Sequence, residues 1–128
     1  MTCSLCKEER LWGKRVIANL FEHGHSFYLS PYKVVWSKIT ETTSFPSRFG
    51  VSVSKRCFKR AVKRNLMKRR TREAFRINKQ ILNAAVPDGS QIHLMVIYTS
   101  DQLLPFADLE NSMKKILQRI ARKNVESV

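Results

Sequence analysis

The most constraining feature of this sequence is a long basic run, residues 55–76, which reads KRCFKRAVKRNLMKRRTREAFR. The run contains no acidic residue before Glu73. From Lys59 onward it also lacks Gly and Pro and is rich in Arg, Lys, Ala, Leu and Met, which favour helix. The sequence therefore predicts a helix that begins near Lys59 and continues towards Leu82.

The charged and apolar side chains of this helix are predicted to lie on two faces. At about 100° per residue, a basic stripe is formed by Arg64, Asn65, Lys68, Arg69 and Arg72. The apolar residues on roughly the opposite side are Val62, Leu66, Met67, Ala74, Ile77 and Ile81. A solvated face would normally mix the two signs of charge, because crowded like charges repel one another. We therefore predict that the apolar face packs and that the basic face binds a polyanion.

Length and composition indicate one domain with an anionic partner. A chain of 128 residues, 43% of them hydrophobic, can fill a single core. The formal net charge of +14 favours nucleic acid, and no apolar run is long enough to span a membrane. We expect a single domain over residues 1–128 with loose ends at 1–7 and 124–128. Charges at residues 7–10 interrupt any secretion signal, so we expect a cytoplasmic protein.

The N-terminal half is predicted to contain one helix and at least two strands. Apolar residues recur at helical spacing over residues 8–22, and Gly24 follows as a helix C-cap. Residues 26–39 have strand composition, with Pro31 at the start or edge of the strand. Residues 48–54 alternate as a further strand. An irregular turn would divide this half into three strands.

The C-terminal half is predicted to add a strand and a helix. After a turn at residues 87–90, the largely apolar residues 91–99 suit an interior strand, which gives a βαβ crossover. A final amphipathic helix opens at Pro105 or Asp108 and runs to about Lys123. The order of elements favours an α+β fold.

Cysteine and histidine positions offer weak candidates for a metal site. Cys3 and Cys6, with His23 and His25, could form a zinc site, although this spacing is a poor match to zinc-finger ligands. Cys57 is expected to be a small packing residue or a partly exposed one.

The chain offers no recognisable catalytic group of its own. Its ten acidic residues are scattered, and none forms a carboxylate group that would hold two catalytic metals. His93 alternates with apolar strand residues, and no motif supports acid–base chemistry by any histidine. We therefore predict no catalytic residue, no protein-bound metal and a partner that supplies the chemistry.

Two neighbouring segments resemble a known family. Residues 61–73, AVKRNLMKRRTRE, follow residues 50–56, GVSVSKR. Together they resemble the signature of the bacterial ribonuclease P protein component, in which an R-N-x-x-K-R-x-x-R-E helix follows a G-x-S-V-S-K-K strand. A looser similarity covers residues 7–123. The family usually has an Arg at the position of Leu66.

The resemblance implies a fold, a partner and a set of contacts. It implies a two-layer αβββαβα sandwich with a mixed four-stranded sheet and a long basic helix. It also implies that the chain binds the catalytic RNA of ribonuclease P, whose Mg²⁺ ions cleave precursor tRNA, and that the protein itself binds no cofactor. The residues implied to contact RNA are Lys55, Arg56, Lys59, Arg64, Asn65, Lys68, Arg69 and Arg72.

A second implied site is a cleft that takes the 5′ leader of precursor tRNA. Phe21 matches one aromatic position of that cleft, while Ile17 and Val35 stand where the family commonly has other aromatics. Trp36 and Tyr32 are nearby aromatics that could compensate. We expect Phe21 and Val35 to belong to the leader cleft.

Three alternatives remain open from the sequence. A generic or ribosome-associated RNA-binding protein would carry similar charges without taking part in cleavage. A DNA-binding protein is less favoured, because base-reading residues would gather at one end of a helix, whereas these charges extend over several turns. A free-standing enzyme ranks last, and the oligomeric state is left undetermined.

Overall fold

The computed structural model describes residues 10–11, 13–40, 45–87 and 89–126, and their side chains as far as residue 123. The elements in chain order are α1 (Lys14–His23), β1 (His25–Leu29), β2 (Tyr32–Thr40), β3 (Ser47–Val53), α2 (Ala61–Asn78), α3 (Gln80–Asn83), β4 (Ser90–Tyr98) and α4 (Phe106–Glu126). This is the predicted α+β order, with α3 as an additional short helix after α2.

The four strands form one mixed sheet in the order β1-β2-β4-β3. β1 pairs antiparallel with β2, and β2 pairs antiparallel with β4. β3 and β4 are parallel, because α2 and α3 carry the chain back between them. The predicted mixed four-stranded sheet and the βαβ crossover are therefore confirmed.

The larger hydrophobic cluster lies between the sheet and the helices α2 and α4. β4 is covered on both faces, and six consecutive residues, 91–96, are buried. At the β3 side of the cluster the rings of Phe49 and Phe75 stack with centroids 4.2 Å apart. The opposite face carries a smaller cluster of Leu11, Leu20, Val35 and Met95 beneath α1. The sheet thus has one fully packed face and one partly covered face.

The buried side of α2 includes polar residues. The buried positions are Met67, Thr71, Ala74, Phe75 and Asn78, which recur at helical spacing. The Thr71 and Tyr32 hydroxyl groups form a buried hydrogen bond of 2.8 Å. Asn78 donates to the Ala74 carbonyl oxygen at 2.8 Å and to the Glu110 carboxylate at 3.1 Å. Because their polar groups are bonded, Thr71 and Asn78 can occupy the packed face.

This packing corrects the predicted apolar face of the basic helix. Val62 is 78% exposed and Ile77 is 50% exposed, so neither packs against the sheet. The prediction left out Thr71, Phe75 and Asn78, and with these residues included the packed face is rotated away from Val62 and Ile77.

The predicted N-terminal helix begins later than expected. Arg10 forms an isolated bridge with Phe49 of β3, and the Leu11 amide donates to the Phe49 carbonyl oxygen at 2.9 Å. The chain is therefore extended at residues 10–11, and α1 follows Gly13, whose φ of 100° suits glycine. Gly24 caps the C-terminus as predicted, and its amide donates to the Leu20 carbonyl oxygen at 2.7 Å.

The region predicted as one strand over residues 26–39 is two strands. β1 and β2 are joined by a tight turn that contains a cis Ser30–Pro31 peptide bond. This turn gives the third strand before α2 that the sequence left open. The long helix ends at Asn78, and α3 continues to Asn83 in place of one unbroken helix to Leu82.

No helix in the described residues is both long enough and apolar enough to cross a membrane.

The hydrogen bond between Tyr32 and Thr71 gives a test of how α2 is seated. Replacing Thr71 with Val should lower the free energy of unfolding by about 1–3 kcal/mol, because the Tyr32 hydroxyl is left buried without its partner. The double variant Tyr32→Phe, Thr71→Val should lose less than the sum of the two single variants. Urea unfolding followed by circular dichroism measures these differences.

The exposed Val62 provides the control, and its replacement by Ala should change stability by no more than about 0.5 kcal/mol. Strict additivity of the two single substitutions would show that the hydrogen bond does not hold α2 against β2.

Candidate RNA-binding surface

A basic surface covers one side of α2 and the turn that precedes it. We define the basic surface as Lys55, Arg56, Lys59, Lys68, Arg69 and Arg72. All six are exposed except the half-buried Lys68, and none of their side chains makes a hydrogen bond or ion pair within the described part of the chain. Asn65 is exposed beside them. Their donors are therefore available to an anionic partner.

Arg64 differs from the other residues of the predicted basic stripe. Its guanidinium donates to the carbonyl oxygens of Phe58 and Lys59, each at 2.8 Å. At about 100° per residue, Arg64 lies some 40° from the centre of the packed face of α2. Arg64 therefore holds the turn before α2 in place, and this turn carries Lys55, Arg56 and Lys59.

Two further arginines of α2 also serve the fold. Arg70 donates to the carbonyl oxygen of Leu104, in the loop between β4 and α4, at 2.9 Å. Arg76 pairs with Glu73, which is the one acidic residue of α2. The charges of α2 are thus divided between residues that secure neighbouring segments and residues that face solvent.

A cleft of about 500 Å³ adjoins the basic surface at Arg72. The side chains and backbone that line it are Arg10, Leu11, Ile17, Phe49, Gly50, Val51, Arg72 and Met95. The pKa of the Arg72 guanidinium is lowered mainly by its partial burial. The nearby positive charge of Arg10 lowers it further. The Arg72 guanidinium still remains charged at neutral pH. A bound anion would relieve the repulsion between Arg72 and Arg10.

Glycine keeps the floor of this cleft open at Gly50. A Cβ atom there would lie 2.9 Å from the Met95 methyl group and 3.3 Å from the Leu11 Cβ. These contacts are closer than ordinary van der Waals contact. Any larger residue at position 50 would therefore intrude into the cleft or displace its lining.

α1 forms one wall of the cleft. Ile17 lines the cleft, and Phe21 lies one helical turn further along the same side with 47% of its surface exposed. Val35 is only 3% exposed and packs beneath α1 against Leu20 and Met95. The expectation that Val35 presents its side chain to the cleft is therefore corrected, because α1 covers it.

The aromatic residues suggested as substitutes also lie elsewhere. Tyr32 and Trp36 belong to the packed face of the sheet. Another aromatic residue, Tyr28, lies on the cleft face, since its neighbours Phe27 and Leu29 pack on the other face. Tyr28 is 60% exposed.

Sequence reasoning missed the residues that complete the cleft. The sequence predicts that Arg10 lies in a helix, and that prediction does not bring it near Arg72. Met95 is predicted only as one residue of an apolar strand. Gly50 was noticed as part of the strand motif, but its role in the cleft depends on how β3 meets β4.

Among the described residues, the histidines considered for metal binding or acid–base chemistry make contacts with other groups. Cys3 and Cys6 lie outside the described residues. His25 stacks against Trp36 with centroids 4.9 Å apart, and His93 is hydrogen-bonded to Gln91 at 2.9 Å. Across the described ranges there is no group of three or more His, Cys, Asp or Glu side chains that could hold a metal ion. Cys57 is half-buried, as expected.

The fold and surface together define an α+β protein with an exposed basic helix and an adjoining cleft, a combination that suits nucleic-acid binding. Phosphate contacts along an open helix face, without a base-reading helix-turn-helix, are typical of such binding.

Comparison with known proteins specifies the family. The family model described as ribonuclease P matches residues 5–121. A ribonuclease P protein component from Porphyromonas gingivalis is 40% identical over 122 residues, covering 94% of this chain and 88% of the relative. One from Clostridioides difficile is 32% identical over 100 residues, covering 78% and 81%. The chain belongs to the ribonuclease P protein family.

Solved structures agree with this assignment. The ribonuclease P protein from Thermotoga maritima superposes with a TM-score of 0.70 and 27% identity, covering 88% of this chain and 97% of that one. The Staphylococcus aureus protein gives a TM-score of 0.68 at 23% identity, covering 87% and 94%, and supports the fold. The resemblance stated from the sequence is confirmed, and the chain acts as the protein subunit of the endoribonuclease P ribonucleoprotein, with the ribonuclease P RNA as its partner.

Arg69 is exposed, whereas Arg64 is bonded to two carbonyl oxygens, so substitutions of these two residues should have different effects. Arg69→Ala should weaken binding to ribonuclease P RNA by roughly 1–3 kcal/mol, while changing stability by less than about 0.5 kcal/mol. Arg64→Ala should also lower the free energy of unfolding by about 1–3 kcal/mol, because two carbonyl oxygens lose their donor. RNA titrations at several salt concentrations and urea unfolding measure the two effects.

Lys114 is exposed on α4, so Lys114→Ala is a control that also removes one positive charge. It should weaken RNA binding by only a few tenths of a kcal/mol. If Lys114→Ala weakened RNA binding as much as Arg69→Ala, the basic surface would be only a diffuse concentration of charge.

Proposed function

We propose that the basic surface binds the ribonuclease P RNA and that the cleft takes the single-stranded 5′ leader of precursor tRNA. The observation that supports this proposal is that the basic surface and the cleft share Arg72. This residue belongs to the basic surface and lines the cleft together with Arg10. One continuous positively charged path then contacts both RNAs.

The cleft matches the chemistry of a single RNA strand. The guanidinium groups of Arg10 and Arg72 suit a phosphate, because each presents several donors in a fixed plane. Ile17 and Phe21 line or flank the path with apolar surface, and Tyr28 adds an exposed ring on the cleft face of the sheet. Stacking on such side chains tolerates any base, so the cleft suits leaders of varied sequence.

The work of this chain is to bind and orient RNA. Mg²⁺ held by the RNA subunit would supply the activated water and charge stabilisation for cleavage of the phosphodiester bond. The protein's own cations neutralise phosphate where the two RNAs approach each other, and this neutralisation lowers their mutual repulsion. The same cations reduce the concentration of Mg²⁺ needed for binding. We propose the cytoplasm as the site of this activity.

Reconstitution tests the proposal directly. The chain, mixed with a bacterial ribonuclease P RNA and end-labelled precursor tRNA at low Mg²⁺, should increase the rate of release of the 5′ leader. The same RNA without protein is the control. If cleavage is not stimulated, and the chain instead recovers another RNA in a pull-down, a general RNA-binding role replaces this one.

Substitutions at Gly50 test the leader cleft separately from the basic surface. Gly50→Val should weaken binding of precursor tRNA with a long leader about tenfold, because its branched side chain fills the cleft floor. Gly50→Ala should have a smaller effect, since the flexible end of Met95 can move. Affinities for the assembled holoenzyme, measured with long-leader and leaderless tRNA, give the comparison.

Binding of the ribonuclease P RNA by the Gly50 variants should be unchanged, because Gly50 lies outside the basic surface. Equal losses for long-leader and leaderless tRNA would place the leader elsewhere.

A further inference from the structure

A second pocket lies at the β1 edge of the sheet, on the face opposite the leader cleft. It has a volume of about 370 Å³ and is lined by His25, Ser26, Phe27, Trp36, Arg119 and Lys123. We call it the edge pocket. Its volume falls in the range of roughly 300–1,000 Å³ that is usual for small-ligand sites.

Aromatic and cationic groups are paired within the edge pocket. The Arg119 guanidinium carbon lies 4.2 Å from the ring centroid of Phe27, so the guanidinium is held against the ring. The His25 ring packs on Trp36 with centroids 4.9 Å apart and planes inclined by 38°. His25 and Arg119 are exposed, while Trp36 is 7% exposed. The pocket therefore presents planar groups that are already oriented.

The charge of the edge pocket is positive. No acidic side chain is among its lining residues. Lys115, Arg119 and Lys123 recur at every fourth position of α4, which places three exposed cations in one column along the pocket side of the helix.

The edge pocket is spatially separate from the site already described. β1 and β3 are the two edges of the sheet, about 14 Å apart across three strand spacings. Trp36 faces α4, whereas its neighbour Val35 points to the other face of the sheet, beneath α1. One nucleotide cannot occupy both the cleft and the edge pocket.

We propose that the edge pocket binds a nucleotide of a single-stranded RNA segment. Arg119 and Lys123 bind its phosphate, and its base lies against the His25 and Trp36 rings. The planar side chains favour a base over a lipid headgroup or a simple anion, since only a base gains from stacking. A duplex is disfavoured because its bases are already stacked and paired.

Trp36 provides a direct optical readout of the edge pocket. The sequence has two tryptophans, Trp12 and Trp36, so a Trp12→Phe background leaves Trp36 as the remaining emitter. A five-nucleotide single-stranded oligouridylate should change Trp36 emission in a saturable way. The same concentration of duplex RNA should change it much less.

Matched variants in that background test the assigned contacts. Lys123→Ala should weaken oligouridylate binding five- to tenfold, whereas Lys114→Ala on the same helix should weaken it less than twofold. Arg119→Lys keeps the charge but loses the planar group, and it should still weaken binding at least threefold. Circular dichroism confirms that each variant is folded. An emission change that is absent, or equal losses at positions 114 and 123, would overturn the proposal.

Two binding assays show whether the RNA strand in the edge pocket belongs to the ribonuclease P RNA or to precursor tRNA. Lower affinity of Lys123→Ala for the ribonuclease P RNA alone places the strand in that RNA. Lower affinity of the assembled holoenzyme for precursor tRNA places it in the substrate. Native affinity in both assays overturns the proposal of a functional RNA contact. Cleavage stimulated by the unmodified chain is measured separately, so failure of the edge pocket is distinguishable from failure of the proposed function.

Discussion

The direction in which the basic surface points depends on how α2 packs against the sheet and on its rotation about the helix axis. The buried hydrogen bond between Tyr32 and Thr71 fixes the rotation of the helix about its axis, and the stacked rings of Phe49 and Phe75 fix the next turn. Burial raises the pKa of Tyr32, so its hydroxyl stays neutral and able to bond. A rotation of α2 by one residue, about 100°, would turn Arg69 from solvent towards the flank of the core.

Like charges on one helix face destabilise the isolated helix, so tertiary contacts have to compensate. The compensation comes from within the same helix. Arg64, Arg70 and Arg76 use their charge to bind carbonyl oxygens or Glu73, and these bonds connect α2 to the turn before it and to the loop before α4. The side chains of Lys68, Arg69 and Arg72 make no such bond within the described residues, so their charges stay available to an anionic partner. A count of basic residues would overestimate the number of phosphate contacts, because some of these charges already have partners.

Much of the fold could be predicted from the sequence, since strand composition, helical periodicity and turn residues agree with one another over most of the chain. The errors have physical causes. The predicted packing face does not include Thr71 or Asn78, yet each forms a hydrogen bond inside the core. The extended segment at Arg10 depends on its bridge to Phe49, a contact between residues distant in sequence. The basic surface was predictable from residue type, whereas the cleft and the edge pocket arise from the way strands and helices meet.

The position of β4 has a consequence for the synthesis of the chain. β4 lies between β2 and β3 in the sheet, although it follows both of them in sequence. Until residues 90–98 have left the ribosome, β2 and β3 cannot join into one sheet, and their edges stay unpaired. The basic helix α2 is made before β4, so it has no complete sheet to pack against until β4 is added. A nascent chain stopped before β4 would therefore carry the full basic sequence without the geometry that gives it specificity, and would bind RNA as an unstructured polycation.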